Sequence, residues 1–182
     1  MPSYVGSGFS RTLHRNASMV WYYSKLLHQT SFGLATAGAV PWLWPLFKVL
    51  HFVGMSLFVG CVVVLNLRIL GVARELPMRP MRTLAAWGML GFAITAITGL
   101  GFYAGFPNQY MNWPFFFKMV CVVLAGVNVL LYYTTGLHRR VDRIGAGQDV
   151  PFAAKVFAVT SLSLWCGVMF IGRMLSVFSD TF

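Results

Sequence analysis

From Val49 to Leu67 the chain carries no formally charged residue, a run long enough to cross a bilayer, whose hydrocarbon takes about 20 apolar residues in helical form. It lies inside the longer apolar stretch LFKVLHFVGMSLFVGCVVVLNLRIL, which also holds one histidine, His51. An ionisable side chain at that depth costs a few kcal/mol unless something binds it, so it points to function. The alternative is a neutral imidazole hydrogen-bonded to a neighbouring helix, and the residue alone leaves both open.

Composition extends this run into a class. Of the 182 residues, 58% are hydrophobic and 10% charged, with a mean hydropathy of +0.70. A soluble core of this size cannot hide so much apolar surface, so an integral membrane protein is expected. The formal charge of +10 suggests nucleic acid only if the basic residues share one accessible face. They stand instead at the ends of apolar runs: Arg68, Arg74, Arg79 and Arg82 after the first, and Arg139, Arg140, Arg143 and Lys155 before the last. That pattern reports topology and excludes a nucleic-acid partner.

Four spans are expected, Trp42 to Leu70, Leu84 to Gly105, Trp113 to Thr135 and Val156 to Phe178. The loop FPNQYMNW has no formal charge, whereas the other two loops are basic. The basic loops are therefore expected in the cytoplasm, and the neutral loop and the C-terminal SDTF in the periplasm of a bacterial inner membrane. Trp42, Trp44 and Trp113 then form a periplasmic interfacial belt. Residues 17–40 are interrupted by Lys25, His28 and Gln29, and are expected to form an amphipathic helix along that interface rather than a fifth span. Arg11 and Arg15 precede no compact apolar run of signal-peptide type, so no cleavage is expected. The expected fold is all-α: residues 1–41 form a tail and interfacial helix, and residues 42–182 a four-helix membrane bundle. Its two halves are hairpins of like direction, as in parallel-repeat membrane folds. Gly101 and Gly105, spaced as GxxxG, and the other span glycines suit close helix packing. Cys61, Cys121 and Cys166 all fall within spans without CxxC spacing, which argues for packing rather than a disulfide or zinc.

His51, Lys118 and Arg173 are ionisable groups in the periplasmic half of the spans, and no carboxylate lies within any span. A heme b satisfies all three, with His51 as iron ligand and Lys118 and Arg173 on the propionates. Trp165, Met169 and Arg173 share a face of the last span at i, i+4 and i+8, and Gly54 and Phe58 follow His51 on its own face. Gly54 would leave room for a flat macrocycle. Ordinary helix packing accounts equally well for Trp165, Gly54 and Phe58, and Met169 is either a second axial ligand or a core filler. His138 lies at the far end of the third span and is expected to be a solvated loop residue. His28 can approach His51 only if the N-terminal helix lies low on the bundle. There is no HExxH, GxSxG, Walker or dinucleotide fingerprint. Glu75, Asp142 and Asp149 sit in loops among arginines, so no paired acid–base catalyst is expected.

The blocks WLWPLFKVLHFVGMSLFVGCVVVLNLRILG, NWPFFFKMVCVVLAGVNVLLYY and SLSLWCGVMFIGRMLSVF resemble, in order and spacing, the landmarks of a family of small bacterial four-helix membrane proteins with no assigned activity. That family usually has an acidic residue where Asn66 stands and often a histidine near Tyr133, and this chain departs from both patterns. More distantly, LHFVG followed by an arginine at the span's end is similar to the first helix of copper-resistance D-type proteins. It is similar also to the heme-binding membrane protoporphyrinogen oxidases. The latter resemblance implies a heme ligand at His51 and a functional lysine at Lys118. Three functions follow as expectations: electron transfer, alone or as a subunit of a membrane redox complex; a porphyrinogen-oxidase-like heme enzyme; or a cofactor-free structural or assembly subunit that binds lipid. The first is favoured and a non-enzyme preferred, because no span offers an acid or an activated nucleophile.

Overall fold

The computed structural model describes residues 19, 21–72, 74–78, 81–110 and 112–179. Helix α1 covers residues 21–28, α2 Ser31–Leu34, and a π-helical turn Ala35–Ala39 follows. The long helices are α3 (Leu43–Leu70), α4 (Met81–Gly105), α6 (Trp113–Thr134) and α8 (Phe152–Ser179). Two short ones, α5 (Pro107–Tyr110) and α7 (Leu137–Val141), sit in the connections.

All four long helices are apolar and long enough to cross a membrane. The shortest has 22 residues and is about 33 Å long at ~1.5 Å per residue, against ~30 Å of hydrocarbon. Few of their residues are buried inside the molecule, from 11% to 22% of the central windows, so the apolar surface turns outward, as a lipid solvent requires. This is a multi-pass membrane protein of all-α architecture.

Local chemistry explains where the helices stop. Gly71 ends α3 in the left-handed region at φ 95°, which a side chain would resist, and Val72 N–H returns 3.0 Å to the Leu67 carbonyl. Asn112 starts α6: its side-chain oxygen accepts from Phe115 N–H at 3.0 Å, and Pro114 occupies the first turn.

The N-terminal segment differs from the single helix expected over residues 17–40; its first residues lie outside the described part. Thr30 caps a fresh helix, its hydroxyl oxygen accepting from Gly33 N–H at 3.1 Å, and Gly38 at φ 122° breaks the π-turn. No helix between residues 21 and 40 therefore reaches spanning length. The segment docks on the end of α4 instead, where a Cβ on Gly105 would stand 3.1 Å from Thr36 Oγ1.

Side by side, the spans run α4–α3–α8–α6: α3 packs along α4, α8 along both α3 and α6, and α4 and α6 close little of their length against each other. A compact apolar core sits at the end of the basic loops, built from Ile69, Met78, Leu137, Val141, Val150 and Ala154.

Candidate functional site

His51 faces α4. Its Nδ1 lies 2.8 Å from Thr98 Oγ1, and Thr98 itself is buried. The Thr98 hydroxyl has one proton, and the Ile94 carbonyl stands 2.7 Å away to accept it, with the Thr95 carbonyl at 3.2 Å. Thr98 is then left to accept from the imidazole, so the network assigns the proton of neutral His51 to Nδ1 and the lone pair to Nε2. This is the arrangement by which a histidine is oriented for a metal. It is equally the hydrogen bond to a neighbouring helix that the sequence left as the alternative.

Phe102 lies beside the imidazole, ring centroids 5.1 Å apart, and Trp44 packs edge-on to Phe102 and Phe106 at 5.0 and 4.6 Å. Gly99 opens the remaining side: a Cβ there would come to 3.5 Å from His51 Cε1. Lys118 is half-buried on α6. Its Nζ lies 3.6 Å from where a Gly172 Cβ would stand. The similar depth expected for Lys118 and Arg173 is thus met, since Gly172 is the neighbour of Arg173 on α8. Arg173 is exposed and Met169 is 38% exposed.

The other predicted residues pack more tightly than a cradle. Phe58 and Trp165 are in edge contact, ring centroids 4.4 Å apart, with Phe92 5.3 Å from Phe58. Gly54 opens no slot, because its Cβ direction is occupied by the Gly91 carbonyl at 2.9 Å. The two glycines bring α3 and α4 into backbone contact, the known use of small residues between membrane helices.

His28 comes to the same end of the bundle. Its Nδ1–H donates to the Ala104 carbonyl at 3.0 Å, and Ala104 lies about 9 Å along α4 from Thr98. His138 is at the opposite end, where it is not a solvated loop residue: its ring packs 4.8 Å from that of Tyr133, and Nδ1 is buried without a hydrogen-bond partner. Of the cysteines, Cys61 is buried and Cys166 exposed. Among the described residues no three His, Cys, Asp or Glu side chains gather to hold a metal.

Four polar contacts were not anticipated. Thr98 is one. Asn66 Nδ2 donates to Ser161 Oγ at 3.3 Å, and Asn128 Nδ2 to the Phe157 carbonyl at 3.1 Å, both reaching α8. The fully buried Arg68 donates from Nε to the Leu76 carbonyl and from Nη2 to the Gly145 carbonyl at 3.2 Å, joining the two basic loops. The available signal was the rarity of Asn and Thr inside apolar runs, since each must find a partner there.

Comparison of the chain with protein-family models, with curated proteins and with solved structures gives no match. The molecule is an all-α protein with four membrane-length apolar helices.

Proposed function

We propose that this protein binds one heme b through His51 Nε2 and serves membrane electron transfer, alone or as a small subunit of a redox complex. The observation that carries the proposal is the Thr98 bond, which engages Nδ1 as donor and leaves the lone pair to Nε2. Donor chemistry fits the group: a neutral imidazole of defined tautomer, and cations whose spans hold no carboxylate. Lys118 and Arg173 would hold the propionates, each charge-assisted contact being worth roughly 1.5–3 kcal/mol. Phe58 and Trp165 would form an apolar wall that keeps water away. When bound, heme supplies reversible one-electron chemistry at its iron. In this reading the basic loops face the cytoplasm and His51 lies towards the periplasm of a bacterial inner membrane.

Gly54 supports a second reading. Its closure on Gly91 suits a bundle in which His51 is a satisfied packing residue and the protein assembles other membrane subunits. One measurement separates the two. Purified from heme-replete cells, wild type should show a Soret band that His51→Ala lacks. Full heme occupancy in His51→Ala would eliminate His51 as the ligand, and no heme in wild type would leave the assembly reading.

A further inference from the structure

The ring beside His51 belongs to an aromatic chain that runs to the end of the bundle. Phe102 stands 5.1 Å from the imidazole and 5.0 Å from Trp44, and Trp44 also meets Phe106 at 4.6 Å, in the neutral loop that follows α4. Trp44 lies in the first turn of α3 and is half-buried, about 10 Å along the axis from His51. Lys48 is exposed one turn further in. Its side chain points back toward the helix start, as helical side chains do, and brings Nζ to 5.3 Å from the Trp44 ring. Lys25, exposed on α1, lies over Trp21 at 3.8 Å in the same way, and the His28 bond to Ala104 holds α1 at this end. The described carboxylates, Glu75, Asp142 and Asp149, all belong to the basic loops at the other end.

We infer that Trp44 and Lys48 mark the docking surface of a soluble one-electron carrier with an acidic face. The inference deepens the heme reading and rests on it for the electron's route. One electron passes from the carrier through the Trp44 and Phe102 ring contacts to the iron held by His51; the carrier is oxidised and the ferric iron reduced. No bond forms and no proton moves. The rings are packed matter for the electron to cross, and none is itself oxidised. Charge complementarity selects the carrier, because lysines with no described carboxylate nearby repel a basic protein and speed the encounter of an acidic one. An indole beside a cation suits the centre of a small, transient interface. Headgroup anchoring accounts for Lys48 as well, but gives no reason for Trp44 to touch the ring that touches His51.

Plant-type ferredoxin, an acidic one-electron donor, is the probe, and basic cytochrome c its opposite. Binding is measured first with the heme-free full chain in phosphatidylcholine nanodiscs. Ferredoxin should bind at low salt and cytochrome c should not. Lys48→Gln should weaken ferredoxin binding about fivefold, the worth of one exposed charge pair. Lys48→Arg should keep it, and about 0.5 M salt should erase it. Reduced ferredoxin is then mixed with heme-loaded protein. Trp44→Leu should slow heme reduction several-fold at an unchanged Soret band. Trp42→Leu, a change at an exposed residue outside these ring contacts, should leave the rate alone. Ferredoxin binding unaffected by Lys48→Gln overturns the surface; if that variant instead loses co-purifying phosphatidylglycerol, Lys48 anchors a lipid headgroup. A reduction rate unchanged in Trp44→Leu overturns the route. A wild type that binds ferredoxin but no heme would keep the surface and sink the route together with the heme reading.

Discussion

The two hairpins, α3–α4 and α6–α8, are built from similar apolar helices but joined differently. Between α3 and α4 the backbones touch: a Cβ on Gly91 would fall 2.7 Å from both the Gly54 carbonyl and Phe58 N, atoms that cannot move without moving a helix. Between α6 and α8 the glycines are looser. A Cβ on Gly167 would stand 3.9 Å from Cys121 Sγ, and one on Gly172 would meet only the flexible end of Lys118. There the seam is held instead by Asn128 on the Phe157 carbonyl. The difference teaches that His51 sits in the half with the tight backbone seam, whereas Lys118 and Arg173 lie in the half whose seam is looser.

The largest effect should come from breaking the rigid seam. Gly91→Val is expected to destabilise by about 3 kcal/mol through backbone overpacking, measured by thermal unfolding in detergent, while Gly167→Ala should change stability by less than ~0.5 kcal/mol. Equal losses would erase the contrast between the hairpins.

Next is the clamp that joins both hairpins at the basic end. Arg68→Met removes donors from the Leu76 and Gly145 carbonyls and should cost about 2 kcal/mol. Limited proteolysis should then cut the basic loops faster than in wild type; unchanged cleavage would mean the loops hold each other without it.

The polar seam should matter less. Asn128→Leu is expected to cost about 0.6 kcal/mol, the mean for hydrogen bonds between membrane helices, and Asn66→Leu about the same. A loss several times larger at Asn128 would make α6–α8 the more brittle hairpin. Thr98→Val should have a similarly small effect on stability, yet weaken heme retention, because it frees the His51 tautomer; titration with hemin, followed at the Soret band, reads this directly.

The smallest effect concerns the loop before α8. The Lys155 ammonium, 2.9 Å from Asp149, donates to its carboxylate and, with Val150 N–H, holds it below the ordinary value of 3.8. A depressed folded-state value means the contribution is present above the unfolded value and is lost as pH falls through the folded one. Asp149→Asn should therefore flatten the acid limb of stability below about pH 4, and at neutral pH it should cost no more than a screened surface pair is worth. An altered slope at neutral pH would point to a different group.

Much of this was legible in the chain. The spans are recognised because hydrocarbon admits only helices with internally paired backbones, and their centres fall where apolar runs predict. Their ends were less readable: α4 begins at Met81 and α8 at Phe152, earlier than expected, because a helix can continue past the uncharged run and take Arg82 or Lys155 into its first turn. Residues 21–40 misled, since apolar content there suggested one helix while Thr30 and Gly38 divide it.

His51, Lys118 and Arg173 stood out from the sequence alone because ionisable groups are expensive in lipid wherever the helices pack. Which neighbour satisfies each was a matter for the tertiary structure. Thr98 lies 47 residues from His51 and Gly145 77 residues from Arg68. Gly54 faces Gly91 rather than an open slot because of how α3 is rotated against α4. Hydropathy determines that a helix crosses; in lipid, where apolar faces are nearly equivalent, the rotation and partner of each helix are decided by small residues and a few hydrogen bonds.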